Sequence, residues 1–236
     1  ALGSRVLLRE HRTQPGTLEY NFGHIGIRRL RGDMKRLSAI IAMVALISML
    51  SAVGCSSGLS EADLAYNEGT ILSNQGLWAD AIPDFDKAIQ LDPDLTEAYV
   101  NRGVAYANLG QHQNALDDFD KVIQLDPKDK EALFIAYNGR GYAYDELGNL
   151  ENALQDYDKA IQFGPNELEV YVNRGVTYIK LEQYENALND FDKAIQLDPD
   201  EALSYYNRGL VLEELEKYAL AEKDSDKACE LDRSHC

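Results

Sequence analysis

The sequence predicts an all-α solenoid of five helix-turn-helix repeats, and three observations carry that expectation. The stretch NALNDFDKAIQLDP, from Asn186 to Pro199, recurs as DAIPDFDKAIQLDP from Asp80, NALDDFDKVIQLDP from Asn114 and NALQDYDKAIQFGP from Asn152, with a worn copy, LAEKDSDKACELDR, from Leu220. The starts lie 34, 38, 34 and 34 residues apart, and a fixed period of this size marks a stacked array. A second phrase precedes each copy: YVNRGVAYANLG from Tyr99, YNGRGYAYDELG from Tyr137, YVNRGVTYIKLEQ from Tyr171, YYNRGLVLEELEK from Tyr205 and a fainter AYNEGTILSNQG from Ala65. Within both phrases apolar and small residues recur at three- and four-residue steps. Tyr99, Gly103 and Tyr106, then Ala115, Phe119, Val122 and Ile123, set the pattern of two amphipathic helices per unit.

Residues 1–33 begin with Ala1 and show Arg, Gly and His without sustained periodicity, which reads as an unstructured or untranslated upstream segment. Residues 34–54 have the form of a signal peptide. Met34, Lys35 and Arg36 lead an uncharged run of 17 residues from Leu37 to Val53 that ends in small residues. Gly54 before Cys55 resembles the lipobox of bacterial lipoproteins, which implies an acylated Cys55 as the first mature residue. Ala52 departs from that pattern, because Leu is commonest there. An uncleaved membrane anchor is the alternative, at the short limit for a hydrocarbon core of roughly 30 Å. Either reading places the repeats outside the cytoplasmic membrane, in the cell envelope, because the basic end stays inside. Residues 55–61 then form the lipidated cysteine and a polar tether; Ser56 after the cysteine resembles lipoproteins sorted to an outer membrane.

The repeats follow as 62–95, 96–129, 130–167, 168–201 and 202–236. Ser60 with Asp63 three residues on predicts an N-cap for the first helix. Pro83 falls past the first turn of a helix, where it removes a hydrogen bond and loosens the entry, and Trp78 packs at the open end. The third repeat has four extra residues between Pro127 and Gly141, so its first helix starts a turn early. Ser225 replaces an aromatic in the last repeat, which makes the terminal helix more polar, as a solenoid cap requires.

A 34-residue unit with Gly and Tyr on its first helix, then A-x3-F and a closing Pro, resembles the tetratricopeptide repeat family. Gly103, Gly141 and Gly175 fit, as do Ala115, Ala153 and Ala187, then Phe119, Tyr157 and Phe191, then Pro127, Pro165 and Pro199. The likeness spans about residues 62 to 235 and implies a right-handed α-solenoid that binds protein segments. The family's Trp and Leu are Tyr and Arg here in repeats two to five, and the last unit has Ser225 and Arg233 where Phe and Pro are expected. Family members that bind chaperone C-termini use a two-carboxylate clamp; Asn101 is compatible with one, but the accompanying lysines are missing.

Charge narrows the partners. Residues 1–54 carry eight basic and three acidic residues, so the remainder holds 15 basic and 37 acidic ones, a net of −22 against −17 for the chain. Such a surface repels polyanions, which argues against nucleic acid. The paired aspartates of each D-x-D are two apart and do not face each other, whereas Asp84 with Lys87, Asp118 with Lys121 and their equivalents are three apart and are expected to pair. Arg102, Arg140, Arg174 and Arg208 recur beside the helix-one glycine, either as an anion ladder or with each guanidinium on an Asp of the array. His11, His24, His112 and His235 lack metal-ligand spacing. Cys229 is in register with Ile89, Ile123, Ile161 and Ile195, which predicts a core thiol, with a Cys229 to Cys236 disulfide as the alternative. No catalytic, cofactor-binding or small-molecule motif stands out, so an enzyme is not expected.

These readings converge on a membrane-anchored scaffold of the bacterial envelope that holds a partner protein segment on its concave surface. The alternative is an accessory or regulatory subunit of an envelope enzyme, or of a secretion, pilus or outer-membrane assembly machine. Val100, Asn101, Val104, Asn108, Tyr142, Asn173, Val176, Lys180 and Tyr206 face away from the Tyr/Gly packing stripe and are the expected contacts. Phe134, in the inserted turn, is expected either as an exposed apolar anchor or as a core residue over the end of repeat two's second helix.

Overall fold

The computed structural model describes residues 59–125 and 127–235, and these residues form ten α-helices and no strand. In chain order they are α1 (Glu61–Asn74), α2 (Trp78–Leu91), α3 (Thr96–Asn108), α4 (His112–Leu125), α5 (Lys130–Glu146), α6 (Leu150–Phe163), α7 (Leu168–Lys180), α8 (Tyr184–Leu197), α9 (Ala202–Glu214) and α10 (Tyr218–Leu231), followed by a 3-10 turn at Arg233–His235. Each odd helix packs against the even helix after it, and each pair against the next, which gives the all-α solenoid the period predicts. The apolar run Leu37–Val53 and Cys55 lie outside the described residues. No helix of those described is long and apolar enough to cross a membrane.

Local chemistry sets the ends of these helices. Ser60 Oγ accepts from the Asp63 N–H at 3.1 Å while the Asp63 carboxylate accepts from the Ser60 N–H at 2.9 Å, a closed capping box at the start of α1. α2 runs through Pro83. The turn inside each pair needs one left-handed residue, supplied by Gly76, Gly110 and Gly148 at φ +76°, +69° and +79°. Between pairs, Asp92 and Asp198 each accept from the N–H two residues on, at 3.1 Å, which closes the turn ahead of the next helix. The tyrosine that stands where tryptophan was expected bonds to this turn: Tyr99 and Tyr171 donate to the carbonyls of Pro93 and Pro165 at 3.2 and 2.9 Å.

The core is built around one aromatic from each of the first four repeats. Phe85, Phe119, Tyr157 and Phe191 are fully buried, and each ring lies against the glycine of its own pair. A Cβ on Gly69, Gly103, Gly141 or Gly175 would come within 2.8 to 2.9 Å of that ring. Phe119 is held from both sides, since a Cβ on Gly139 of the next pair would sit 2.4 Å from its Cζ. This close approach is why the small residues recur.

The inserted turn lengthens α5 to 17 residues, against 13 for α3. Phe134 is 6% exposed and belongs to the same apolar cluster as Tyr157, Tyr171 and Phe191. The exposed-anchor expectation is therefore corrected: the extra turn packs inward. Phe134 covers the end of its own repeat's second helix at Gly164, while Ala132 and Ile135 of the same stretch join the apolar cluster of Val122, Ile123 and Leu125 on α4.

Candidate protein-interaction surface

Successive first helices touch along the whole stack, α1 with α3, α3 with α5, α5 with α7 and α7 with α9, whereas successive second helices stand further apart. First helices thus line the inner side of the curved stack, and second helices splay on the outer side.

The outer side carries a polar seam. Arg102 donates through Nε and Nη2 to Asp118 at 2.9 and 2.6 Å and through Nη1 to Asp86 of the preceding repeat at 2.5 Å. Arg140 does the same with Asp156 and Asp120, Arg174 with Asp190 and Asp158, and Arg208 with Asp224 and Asp192. In repeats two to four the two carboxylates of the D-x-D face different arginines: the first holds the arginine of its own repeat, the second that of the next. The expected Asp–Lys pairs three apart are corrected by this, since none of them forms among the described residues. A planar, bidentate guanidinium outcompetes a flexible ammonium for the same carboxylate. Each guanidinium also lies over the first-helix tyrosine, 5.4 to 5.9 Å from the ring centre at Tyr99, Tyr137, Tyr171 and Tyr205. Burial works against the charge of Arg102, Arg140 and Arg174, but the bonds to two aspartates outweigh it and hold the guanidinium protonated. Burial also pushes the carboxyls of Asp118, Asp156 and Asp190 up against the pull of their arginines. These arginines are thus occupied and do not form an open anion ladder.

Of the ten expected contacts, nine on the inner side and Phe134 in the inserted turn, four are interior. Val100 and Phe134 are 6% exposed, and Asn173 and Val176 are fully buried, so none of them offers surface. The physical reason is the closeness of the first helices: positions that face the next first helix are covered by it. Asn173 Nδ2 donates to Asn138 Oδ1 across the α5–α7 contact at 3.2 Å, and both side chains are at 0% exposure.

The other six are reachable and lie along the line of first-helix contacts. Asn101 donates to Tyr66 Oη at 3.1 Å and to Thr70 Oγ1 at 3.3 Å, bridging α3 to α1. Val104 is half-buried beside it, and the exposed Asn108 ties back to the Val104 carbonyl at 2.8 Å. Tyr142 is half-buried, its ring centre 5.8 Å from that of His112 in an edge-on arrangement; burial, with Glu146 and Asp145 nearby, pushes its phenol up to about 12. Lys180 pairs with the buried Asp145 and with Glu146 at 3.6 Å, while Thr177 donates to the same Asp145 at 2.7 Å. Tyr206 lies 5.0 Å from the His235 ring. Tyr66, Thr70 and Asp145 were not among the expected site residues. Tyr66 could have been found, because it occupies in the first repeat the place that Val100 holds in the second.

At the far end, the free core thiol expected at Cys229 is corrected: the residue is half-buried and disulfide-bonded. Its partner lies outside the described residues.

Family models described as tetratricopeptide repeat match residues 96–129, 134–167 and 202–235, and one described as TPR repeat matches residues 69–110 and 177–216. No curated protein matches the chain. Among solved structures, residues 41 to the end of MamA from Desulfovibrio magneticus RS-1 share 26% identity with it at a TM-score of 0.65, over 75% of this chain and 97% of that one. YrrB, described as a TPR protein with an unusual peptide-binding site, superposes with a TM-score of 0.57 at 23% identity, over 72% and 86% of the two chains. Pseudomonas aeruginosa PilF does so with 0.63 at 20% identity, over 72% and 76%. The last two likenesses are of fold alone.

Proposed function

The chain belongs to the tetratricopeptide repeat family, and from that premise we propose that it is a protein-interaction scaffold anchored to the membrane of a bacterial cell envelope, holding a partner segment along its first helices. The observation that carries this reading is the strip Asn101, Val104, Asn108, Tyr142, Lys180 and Tyr206, reachable side chains strung along the line where the first helices meet. It mixes amide, aliphatic, aromatic and cationic groups. An extended segment running along it would meet several repeats in turn, and stacked repeats use such surfaces to bind. A peptide-binding site in YrrB, a protein of the same fold, is compatible with this use.

Anchoring rests on Met34-Lys35-Arg36, the uncharged run and Gly54-Cys55. Acyl chains on Cys55 would hold the protein to the bilayer, since one chain alone gives marginal attachment and each buried methylene contributes about 0.8 kcal/mol. The disulfide at Cys229 suits an oxidising compartment outside the cytoplasm.

The test places a photo-crosslinking residue at Asn108 on the inner strip and, as control, at Gln155 on the exposed side of α6, in native membranes. A partner adduct from position 108 that is absent from 155, and that disappears when Asn101 and Tyr142 are both changed to Ala, is the expected result. Equal adducts from both positions would remove the inner strip from the reading. Intact mass of the detergent-extracted protein, with the Cys55→Ser variant as comparison, decides the anchor. An unmodified chain whose membrane retention is the same in that variant overturns lipidation.

A further inference from the structure

The last repeat departs from its sisters along one stripe of α10. Lys217 stands where the other repeats have Leu77, Gln111, Asn149 and Gln183. Leu220 stands where they have Asp80, Asn114, Asn152 and Asn186, and Lys223 where they have Pro83, Asp117, Gln155 and Asn189. With Lys227 these residues are three, three and four apart, so they share one side of the helix. An apolar residue flanked by cations thus stands where repeats two to four have neutral or acidic polar residues.

That stripe lines a cavity of about 840 Å³ on the outer side, walled by Leu188 and Ile195 of α8 and Leu212 of α9. Leu220 is 54% exposed at its edge, where a solitary leucine gains nothing from the fold. The wall holds as many carboxylates as cations, but they are not equally engaged. Arg208 is taken up by Asp192 and Asp224, and Lys227 by Glu230 at 3.1 Å. Neither Lys217 nor Lys223 has a carboxylate oxygen within 4 Å among the described residues, and Asp226 is the one acid of the wall without an ion pair there. Two ammonium groups against one carboxylate are thus left open to a ligand, on a chain whose net charge is −17.

We propose that the α8–α10 groove is a second docking site, and that its occupant is an acidic amphipathic helix of a partner protein. The apolar side of that helix rests on Leu188, Ile195 and Leu220, and its carboxylates meet Lys217 and Lys223. Two second helices that stand apart leave a channel into which a third can lay its ridge, which is the ordinary way a helix is recognised in a groove. Charge selects among such helices: a basic one would be repelled at the two lysines, while an acidic one is repelled by the rest of the molecule and finds its complement here. The site is independent of the inner strip, so the two proposals stand or fall separately.

The test uses three fluorescein-labelled helical peptides of about 14 residues, the length of α10, with one shared apolar face and a polar face of Glu, Lys or Ser, titrated with the whole chain. The Glu peptide is expected to bind, with affinity falling as salt rises. Lys217→Gln with Lys223→Gln should weaken it at least about tenfold and flatten the salt dependence, and Leu220→Asn should weaken it by a similar factor. These changes install residue types of the sister repeats at exposed positions, and helical content by circular dichroism checks that the fold is kept. Asn101→Ala with Asn108→Ala should leave the affinity unchanged. No binding of the Glu peptide, equal binding after the three outer changes, or tighter binding of the Lys peptide overturns the proposal. Capture of phosphatidylglycerol vesicles without the Glu peptide overturns it in favour of a membrane surface.

Discussion

Phe134 and Gly164 are fitted to each other: a Cβ on Gly164 would sit 2.6 Å from the Phe134 ring and 3.0 Å from Glu167 Cγ. The sister repeats carry Asp92, Asp126, Asp198 and Asp232 at that place and have no inserted turn. The insertion and the glycine are thus one change, in which an aromatic fills the space that an aspartate occupies elsewhere. Restoring the aspartate with Gly164→Asp overpacks a filled site and should destabilise the protein by about 1–3 kcal/mol. In a Phe134→Ala background the same change should cost much less, and the coupling is read from urea melts of the four variants. Additive costs would show that the two residues do not share the space.

The Arg102 to Asp118 seam predicts a large cost for the single change and a small one for the double. Asp118 is 3% exposed, so removing Arg102 leaves a carboxylate with no guanidinium in a buried place. Arg102→Leu should cost about 3–5 kcal/mol, as breaking a buried pair does. Arg102→Leu with Asp118→Leu removes both charges and should recover most of that loss, as thermal denaturation would show. A double change as damaging as the single one would mean that the seam sets the geometry of the stack and not merely its charge balance.

Asn173 and Asn207 occupy equivalent places but differ in what they meet. Asn173 bonds to Asn138, whereas the equivalent neighbour of Asn207 in the preceding repeat is Val172, and both polar atoms of the fully buried Asn207 side chain lack a hydrogen-bond partner among the described residues. A buried amide without partners costs its desolvation. Asn207→Leu should therefore raise stability by about 1–2 kcal/mol, whereas Asn173→Leu, which strands Asn138, should lower it by a comparable amount. Urea melts of the two variants, shifted in opposite directions, are the check. Sequence alone assigns Asn173 to partner binding; its burial makes any change there a core substitution.

The period, the two helices per unit and the early start of α5 were all legible, because each depends on spacing along a single chain. What failed depends on which neighbour arrives first. Asp118 could pair with Lys121 on its own helix or with Arg102 on another, and only the packed distance favours the arginine. Val100, Asn173 and Val176 face away from the Tyr/Gly stripe on an isolated helix, and the adjoining first helices then cover them. The direction of Phe134 was ambiguous for the same reason: the space it fills is made by Gly164, thirty residues on. The strip that stays reachable was visible in part: Asn108 lies at the end of its helix, past the covered positions, whereas Asn101 and Lys180 bond to the preceding first helix and still keep part of their side chains at the surface.

The within-pair turn offers the last prediction. Glu182 and Glu216 adopt φ +58° and +57° where the first three repeats use Gly76, Gly110 and Gly148. A side chain in this left-handed region costs roughly 1–2 kcal/mol from the clash of its Cβ with the carbonyl, and glycine escapes that clash while losing more freedom on folding, roughly 0.5–1 kcal/mol. The balance favours glycine at both places. Glu182→Gly and Glu216→Gly should each stabilise the protein by up to about 1 kcal/mol, a rise in Tm of about 2–4 °C for a domain of this size. Alanine keeps the Cβ clash and removes only the carboxylate, so Glu182→Ala distinguishes backbone relief from charge relief in an acidic chain. A rise with glycine that is absent with alanine assigns the gain to the backbone; equal rises would assign it to the lost negative charge.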